Sequence, residues 1–369
     1  MRDREEISAE ERFYVASQWQ LMWRKFKRHK LAILGGIILA VFYIIAVFCE
    51  FFSTQDIYKR HTKYIYCPPQ RIHFFDERRN FYLRPFVYGM KRTMDPKTWR
   101  RIYVEDKAKK YSIYFFVHGD KYKLWNLFSI DIHLFGVKDG TIFLFGTEAL
   151  GRDLFSRNLY AARISLSIGL IGVAISFVLG SLLGGISGYY GGVADMVIQR
   201  VVDFVISLPT IPLWMALAAA LPPEWPVIKT YFGITIILSF LAWCGLARVV
   251  RGKLLELKEE DFPMAAKIAG ATDGRIITRH LLPSFLSYLI VSLTLSIPWM
   301  ILGETSLSFL GLGIRPPAVS WGTLLHDGQN FRTVAQNPWI LIPGLFVIIT
   351  VLAFNFLGDG LRDAADPYK

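Results

Sequence analysis

Residues 261–283 read DFPMAAKIAGATDGRIITRHLLP. The stretch is charged and helix-friendly, yet long apolar runs flank it on both sides. Asp261 and Pro263 make a helix-start signal, because Asp suits a cap and Pro suits a first turn. Ala265 and Ala266 keep one face small, and Gly270 lets the backbone bend where a β-carbon would obstruct it. Asp273 opens a second amphipathic turn that closes at Leu282-Pro283. The pattern predicts two short helices joined by a tight bend. They would lie across a membrane surface, with the small-residue face open to another protein.

Composition supports the membrane. The chain has 369 residues, 53% hydrophobic and 15% aromatic, with mean hydropathy +0.34. Those values suit an integral membrane protein better than a soluble one. A net charge of +12 would suggest nucleic acid in a soluble chain; here the positive-inside rule is the first explanation, and no nucleic-acid partner is expected. Three cysteines, Cys49, Cys67 and Cys244, form neither a disulfide framework nor a zinc pattern. The polar residues before the first apolar run do not resemble a cleavable signal, so that run is expected to stay as an anchor.

A hydrocarbon core ~30 Å thick needs roughly 20 apolar residues as a helix. Six runs qualify, at about 31–50, 164–189, 203–222, 231–249, 284–303 and 338–357. Arg24, Lys25, Lys27, Arg28 and Lys30 crowd the start of the first, which predicts a cytoplasmic N-terminal segment, 1–30. Six spans then return the C-terminus to the cytoplasm. The loop with Arg248, Arg251, Lys253, Lys258, Lys267, Arg275 and Arg279 falls on the same side, while 304–337 holds only Arg315 and Arg332.

Gly180, Gly184 and Gly188 in the second span would let helix backbones approach closely. GYYGGVADMVIQR after them, with Asp195 and Arg200, reads as a tight cytoplasmic turn. Pro209, Pro212, Pro298 and Pro343 predict kinked spans. Asp203, Glu304 and Asp359 sit at span ends, where interfacial anchoring explains them. Residues 52–145 stand outside this plan: polar, aromatic-rich and interrupted by turn signals, they predict a small extracellular β-rich insertion. Tyr111–Val117 and Thr141–Phe145 read as strands, with Gly119-Asp120 and Asp139-Gly140 as turns. The insertion carries 18 Lys/Arg against 9 Asp/Glu, which long loops tolerate because they translocate largely regardless of charge.

No catalytic constellation emerges. GTEALGRD at 146–153 misses the phosphate loop: Arg152 replaces its Lys, and Asp153 would repel phosphate. There is no HExxH, the serine of GGISG lacks the nucleophile-elbow spacing, and the histidines are scattered. The sequence offers no case for an enzyme.

Ala265-Ala266, Gly270 and the His280-x-Leu-Pro ending resemble the "EAA" signature of ABC-transporter permeases, with Met264 where that family has Glu and His280 where it has Ile. GTEALGRDLFSRNLYAARISLSIG at 146–169 is similar to the start of the second span in the dipeptide/oligopeptide branch. GYYGG at 188–192, LGETSLSFLGLGIRPPAVSWGTLL at 302–325 and PW…PG…AFNFLGDGLRDAADP at 338–367 follow in the family's order. The likeness covers 146–367 and the first span at 31–50, but not the insertion.

The resemblance implies an all-α polytopic membrane protein with six transmembrane helices, a five-helix permease core at 146–367 and a coupling-helix loop at 261–283. It implies a plasma-membrane subunit working with a second homologous permease, two cytoplasmic ATPase subunits and an extracellular solute-binding protein. ATP and Mg would be bound by the ATPases, and this chain would hold no cofactor or metal. Ala265, Ala266, Gly270, Ala271 and Asp273 would contact the ATPase, flanked by Lys267 and Arg275. By position, Trp214, Met215, Trp299 and Met300 are candidates for the substrate path. Oligopeptide is the expected cargo, with oligosaccharide as the alternative. A secondary transporter needs midplane charges, which the spans lack. An assembly module built on 52–145 would leave the 261–283 loop unexplained.

Overall fold

In the computed structural model, which describes residues 18–365 except Glu77, Asp95, Lys97, Thr98, Arg100 and Asn126, the chain is mostly helical. Residues 1–17 of the expected cytoplasmic segment, and the end of the DP motif, lie outside the described residues. After the short α1 (Gln18–Phe26), five helices are long and apolar enough to cross a membrane. They are α2 (Lys30–Val47), α4 (Leu154–Tyr190), α7 (Val227–Leu257), α9 (Leu286–Phe309) and α10 (Ile342–Ala365, entered through a 3-10 turn at Pro338–Leu341).

The run expected as a third straight span is broken. Helices α5 (Gly192–Ser207) and α6 (Thr210–Ala219) meet at 89°. The cause is local: Leu208 precedes Pro209, adopts an extended ψ of 137°, and ends α5. The other prolines do not break their helices. Pro298 lies inside continuous α9, and Pro343 occupies the first turn of α10, where its missing N–H costs nothing. The turn expected over GYYGGVADMVIQR is also shorter. It is confined to Gly191 and Gly192, both at positive φ, while Asp195 and Arg200 already belong to α5.

Contacts define two ends of the bundle. At one end, Ser287 of α9 donates to the Met22 sulfur at 3.4 Å, and His29 lies 3.9 Å from Asp363. At the other, Trp339 Nε1 donates to the Thr147 carbonyl at 3.1 Å, and Trp214 of α6 packs against Gly303. The bent pair α5–α6 carries the chain between these ends. Close packing of α4 on α7 follows from the glycine stripe: a Cβ at Gly184 would stand 2.5 Å from the Ala247 carbonyl oxygen, and one at Gly188 2.8 Å from that of Arg251. Small residues at such crossings bring helix backbones together in lipid.

Between α2 and α4 stand the small helix α3 (Cys49–Phe52) and a four-stranded antiparallel sheet in the order β1 (His73–Phe75), β2 (Phe81–Met94), β3 (Arg101–Leu124), β4 (Phe128–Val137). One strand serves two hairpins: β3 pairs with β2 from Arg101 to Ser112, then with β4 from Ile113 to Leu124. The 111–117 strand is therefore part of a longer one, which passes through Gly119-Asp120 as a bulge. Glycine is needed there for close approach, since a Cβ would stand 2.7 Å from the His133 ring. Thr141–Phe145 forms no strand. Its backbone is held instead by Gln70, whose N–H donates to the Phe143 carbonyl at 2.9 Å and whose Oε1 accepts from Phe143 N at 2.6 Å. Cys49, Cys67 and Cys244 are all free and buried.

Glu304 is the clearest departure from the sequence reading. It is fully buried in α9, where its carboxylate accepts from Ser165 of α4 at 3.0 Å and from Ser308 at 2.6 Å. Ser165 Oγ in turn accepts from Trp321 N, and Ser308 Oγ from Ile314 N. The carboxylate thus anchors the loop beyond α9 to α4 rather than meeting an interface. Asp203 and Asp359 are exposed, as an interfacial role requires.

Candidate functional site

The 261–283 stretch forms a bent element at the end of the bundle that also holds Met22 and Asp363. Helix α8 (Asp261–Ile268) begins after Glu260, one residue earlier than an Asp261 cap would set it. It ends in a Schellman turn: Ala271 N donates to the Ala266 carbonyl and Gly270 N to that of Lys267, each at 3.0 Å, with Gly270 at φ +82°. Eight residues are too few for a stable free helix, so packing must hold it. Pro263 is buried, and Ala266 and Ala271 rest on a cluster of Val250, Leu254, Ile276, Leu281 and Phe285.

After Thr272 the chain restarts at Asp273 and widens into a π-helical turn over Ile276–Leu281, ahead of Pro283. A proline cannot donate to the preceding turn, and the wider turn accommodates that loss. Asp273 is not free: its Oδ1 accepts from the Tyr189 hydroxyl of α4 at 2.7 Å. Two ion pairs brace the platform beneath. Arg251 of α7 grips Asp195 of α5 through Nε at 2.5 Å and Nη2 at 2.6 Å, and Arg248 Nη2 reaches Asp203 at 2.5 Å.

Of the seven residues the sequence singled out here, Ala265, Lys267, Gly270 and Arg275 are exposed, whereas Ala266, Ala271 and Asp273 are half-buried in the contacts above. The outward face of α8 also presents Met264, 51% exposed, and Ile268, 89% exposed, beside Ala265. In the sequence Met264 stands out only as the departure from the family's Glu, and Ile268 carries no motif. Their spacing of four residues from one another was the available signal, since it places them on one helix face.

The other four candidates do not gather. Met300 is buried against Gly172, Trp214 packs on Gly303, and Met215 is partly buried in the same core. Trp299 alone is open, 71% exposed. It lies at a groove of about 770 Å³ with Ser284, Ser287, Tyr288, Ser292 and Ser296, flanked by Lys253 and Arg362. Positions four apart bring Tyr288, Ser292 and Ser296 to one stripe of α9, with Ser284 in the turn just before it.

The GTEALGRD stretch caps α4. Asp153 accepts from Ser156 N at 2.8 Å as the N-cap, and Glu148 pairs with Arg152 and with Arg157, the latter at 3.0 Å. Burial pushes the Asp153 carboxyl up to about 6, against hydrogen bonds from Ser156 that pull it down. Among the described residues no group of three or more His, Cys, Asp or Glu could hold a metal ion.

Residues 176–368 match the family model described as binding-protein-dependent transport system inner membrane component. Residues 17–69 match the N-terminal TM domain of oligopeptide transport permease C. The chain is 43% identical over 229 residues to the oligopeptide transport system permease protein OppC of Haemophilus influenzae, covering 60% of this chain and 70% of that protein. It is 40% identical over 225 residues to the dipeptide transport system permease protein DppC of Bacillus subtilis, covering 60% and 68%. Among solved structures, an inward-facing form of the MetNI methionine ABC transporter aligns with 57% of this chain and 97% of its own, at 18% identity and TM-score 0.45.

Proposed function

The chain belongs to the family of binding-protein-dependent transport system inner membrane components, and from that membership we propose that it is the permease subunit of an ABC importer for peptides. The peptide-permease names of its relatives favour peptides over oligosaccharides as cargo. It is a multi-pass plasma-membrane protein. Counting the bent α5–α6 pair as one span gives six, with both termini, the 261–283 segment and its basic flanks on the cytoplasmic side. The sheet and the 310–337 loop then lie outside, where a solute-binding protein delivers cargo.

One observation carries the mechanism: α8 is braced from within by Pro263 and Ala266, and the turn after it by Asp273, while Met264, Ala265 and Ile268 face outward. An exposed apolar face on a rigidly held helix suits a groove in a partner protein. On this reading the partner is an ATPase subunit, which binds ATP and Mg and pushes on the segment when it closes. Ala265, Lys267, Gly270 and Arg275 line the contact, and Ala266, Ala271 and Asp273 transmit the push into α4 and α9. This subunit pairs with a second permease, and two ATPases complete the importer.

The serine stripe of α9 with Trp299 supports its reading as this subunit's half of the substrate path. Hydroxyls at spaced positions can exchange hydrogen bonds with successive peptide groups without selecting side chains. Trp214, Met215 and Met300 then shape the path through packing.

The test is Ile268→Glu in the reconstituted importer. Ile268 makes no inward contact, so insertion should be unchanged while peptide-stimulated ATP hydrolysis and uptake fall to background. Normal coupling in that variant would overturn the reading.

A further inference from the structure

The exposed apolar residues of α2 form a stripe: Leu31, Leu34, Ile37, Val41, Ile44 and Val47 are each 44–56% exposed. In a membrane protein such a stripe faces lipid. It ends at Val47, whose carbonyl accepts from Arg163 Nη2 at 2.8 Å and from Trp125 Nε1 at 2.9 Å. Arg163 Nε also takes the Ala46 carbonyl at 2.8 Å. These donors satisfy the last carbonyls of α2, which have no partner within the helix. They also fix where Trp125 stands: at the depth where the spanning helix ends.

Trp125 lies at the tip of the β3–β4 hairpin, so the tip reaches down from the sheet to the level of the hydrocarbon edge. Its ring packs on Phe48 with centroids 5.4 Å apart, and Phe116 of β3 meets Phe51 at 6.3 Å. The outward side of the tip is apolar. Leu127 is 73% exposed and Phe128 60%, while Phe116, 64% exposed, stands farther up β3. Lys121 and Lys123, on the same hairpin, are exposed as well. Large apolar groups left in water at a turn forgo about 1.5–3 kcal/mol each.

We propose that the β3–β4 hairpin tip is a membrane anchor, seated in the outer-leaflet interface beside α2. Leu127 and Phe128 enter the upper acyl region, and Lys121 and Lys123 meet anionic headgroups. Two observations select lipid over a protein partner. The tip is tied to the end of the apolar α2 stripe, because Trp125 donates to the Val47 carbonyl and packs on Phe48. Its chemistry is also that of an interfacial belt, with an indole at the boundary and lysines on the water side. The anchor would hold the sheet at a set angle to the bilayer and so fix where the β2–β3 arm projects. The leaflet assigned rests on the topology proposed above; the seating in lipid does not.

The experiment uses the importer assembled in nanodiscs of phosphatidylethanolamine with phosphatidylglycerol. Because the native cysteines are buried, a single bimane can be placed on Leu127→Cys or, as control, on Thr93→Cys in the exposed part of β2. A lipid carrying a nitroxide near its headgroup is the quencher. Bimane at 127 should lose most of its emission while bimane at 93 keeps it, and omitting phosphatidylglycerol should weaken the loss at 127. Equal quenching at both sites would overturn the proposal. So would quenching at 127 in nanodiscs holding this subunit alone but not in the assembled importer, which would make the patch a subunit contact. An impermeant thiol reagent applied to Thr93→Cys in sealed proteoliposomes tests the sidedness separately.

Discussion

The hydroxyl of Tyr189, in the last turn of α4, donates to Asp273 Oδ1 across 2.7 Å. This bond is a direct polar link between the bent segment and a helix that runs the full thickness of the bundle. Removing it with Tyr189→Phe should cost only about 0.5–1.5 kcal/mol of stability. Uptake and peptide-stimulated ATP hydrolysis should fall severalfold, with basal hydrolysis retained. Equal loss of basal and stimulated activity would show that the bond supports folding rather than coupling.

Gly270 occupies the left-handed region at φ +82° with no heavy atom in the way of a side chain. Strain, not space, forbids substitution there. Gly270→Val should therefore destabilise the turn by about 1–2 kcal/mol, whereas Gly270→Asn should lose less, because Asn tolerates that conformation. Uptake assays on the two variants should rank in the same order.

The α4–α7 crossing is limited by backbone contact. Gly184→Ala would press its methyl to 2.5 Å from the Ala247 carbonyl oxygen, so the helices must part. A loss of about 1–3 kcal/mol is expected, read as a lower thermal midpoint in detergent. Gly252→Ala, in open space on an ordinary helical backbone, should leave the thermal midpoint undiminished.

Asp153 gives a pH dependence with a defined sign. Its carboxyl is raised from 3.8 to about 6 by burial, so between those values the folded chain holds a proton that the unfolded chain has lost. Stability from this group is therefore lost as pH rises through that window. Asp153→Asn keeps an N-cap acceptor without the buried charge. It should match the wild type near pH 4 and exceed it above pH 6, by about 3 kcal/mol at most. Thermal melts of both proteins across that range are the check.

Ser296 faces the groove beside Trp299. Ser296→Trp should block uptake while leaving ATP hydrolysis and assembly intact, since the residue is remote from α8. Trp299→Ala should alter the apparent affinity for peptides more than the maximal rate. Unchanged uptake in Ser296→Trp would move the path elsewhere.

Legibility in the sequence followed the range of the interactions. The bend at Gly270 was readable because turn chemistry is local. The seven candidates around it were named without knowing which would be half-buried, because that depends on where Val250, Ile276 and Phe285 lie. The outward face of Met264 and Ile268 was not legible, because spacing alone does not say which side of α8 packs inward. Trp299 and Met300 are neighbours in the chain, yet one lines a groove and the other fills the core. Consecutive helical residues point about 100° apart, and a helix apolar on all sides carries no pattern to say which way is in.

By itself the sequence determined the apolar runs, the charged segment between two of them, the family likeness and the presence of a β-rich insertion. Each is set by composition or spacing within a short window. Only the tertiary structure decided that Glu304 is an internal anchor, because its partner Ser165 lies 139 residues away. The same holds for β3 being shared by two hairpins, for the 89° corner between α5 and α6, and for the tip at Trp125 resting on the end of α2, 78 residues earlier. Local patterns say what an element is. Which distant group satisfies its remaining polar atoms is settled only when the elements pack.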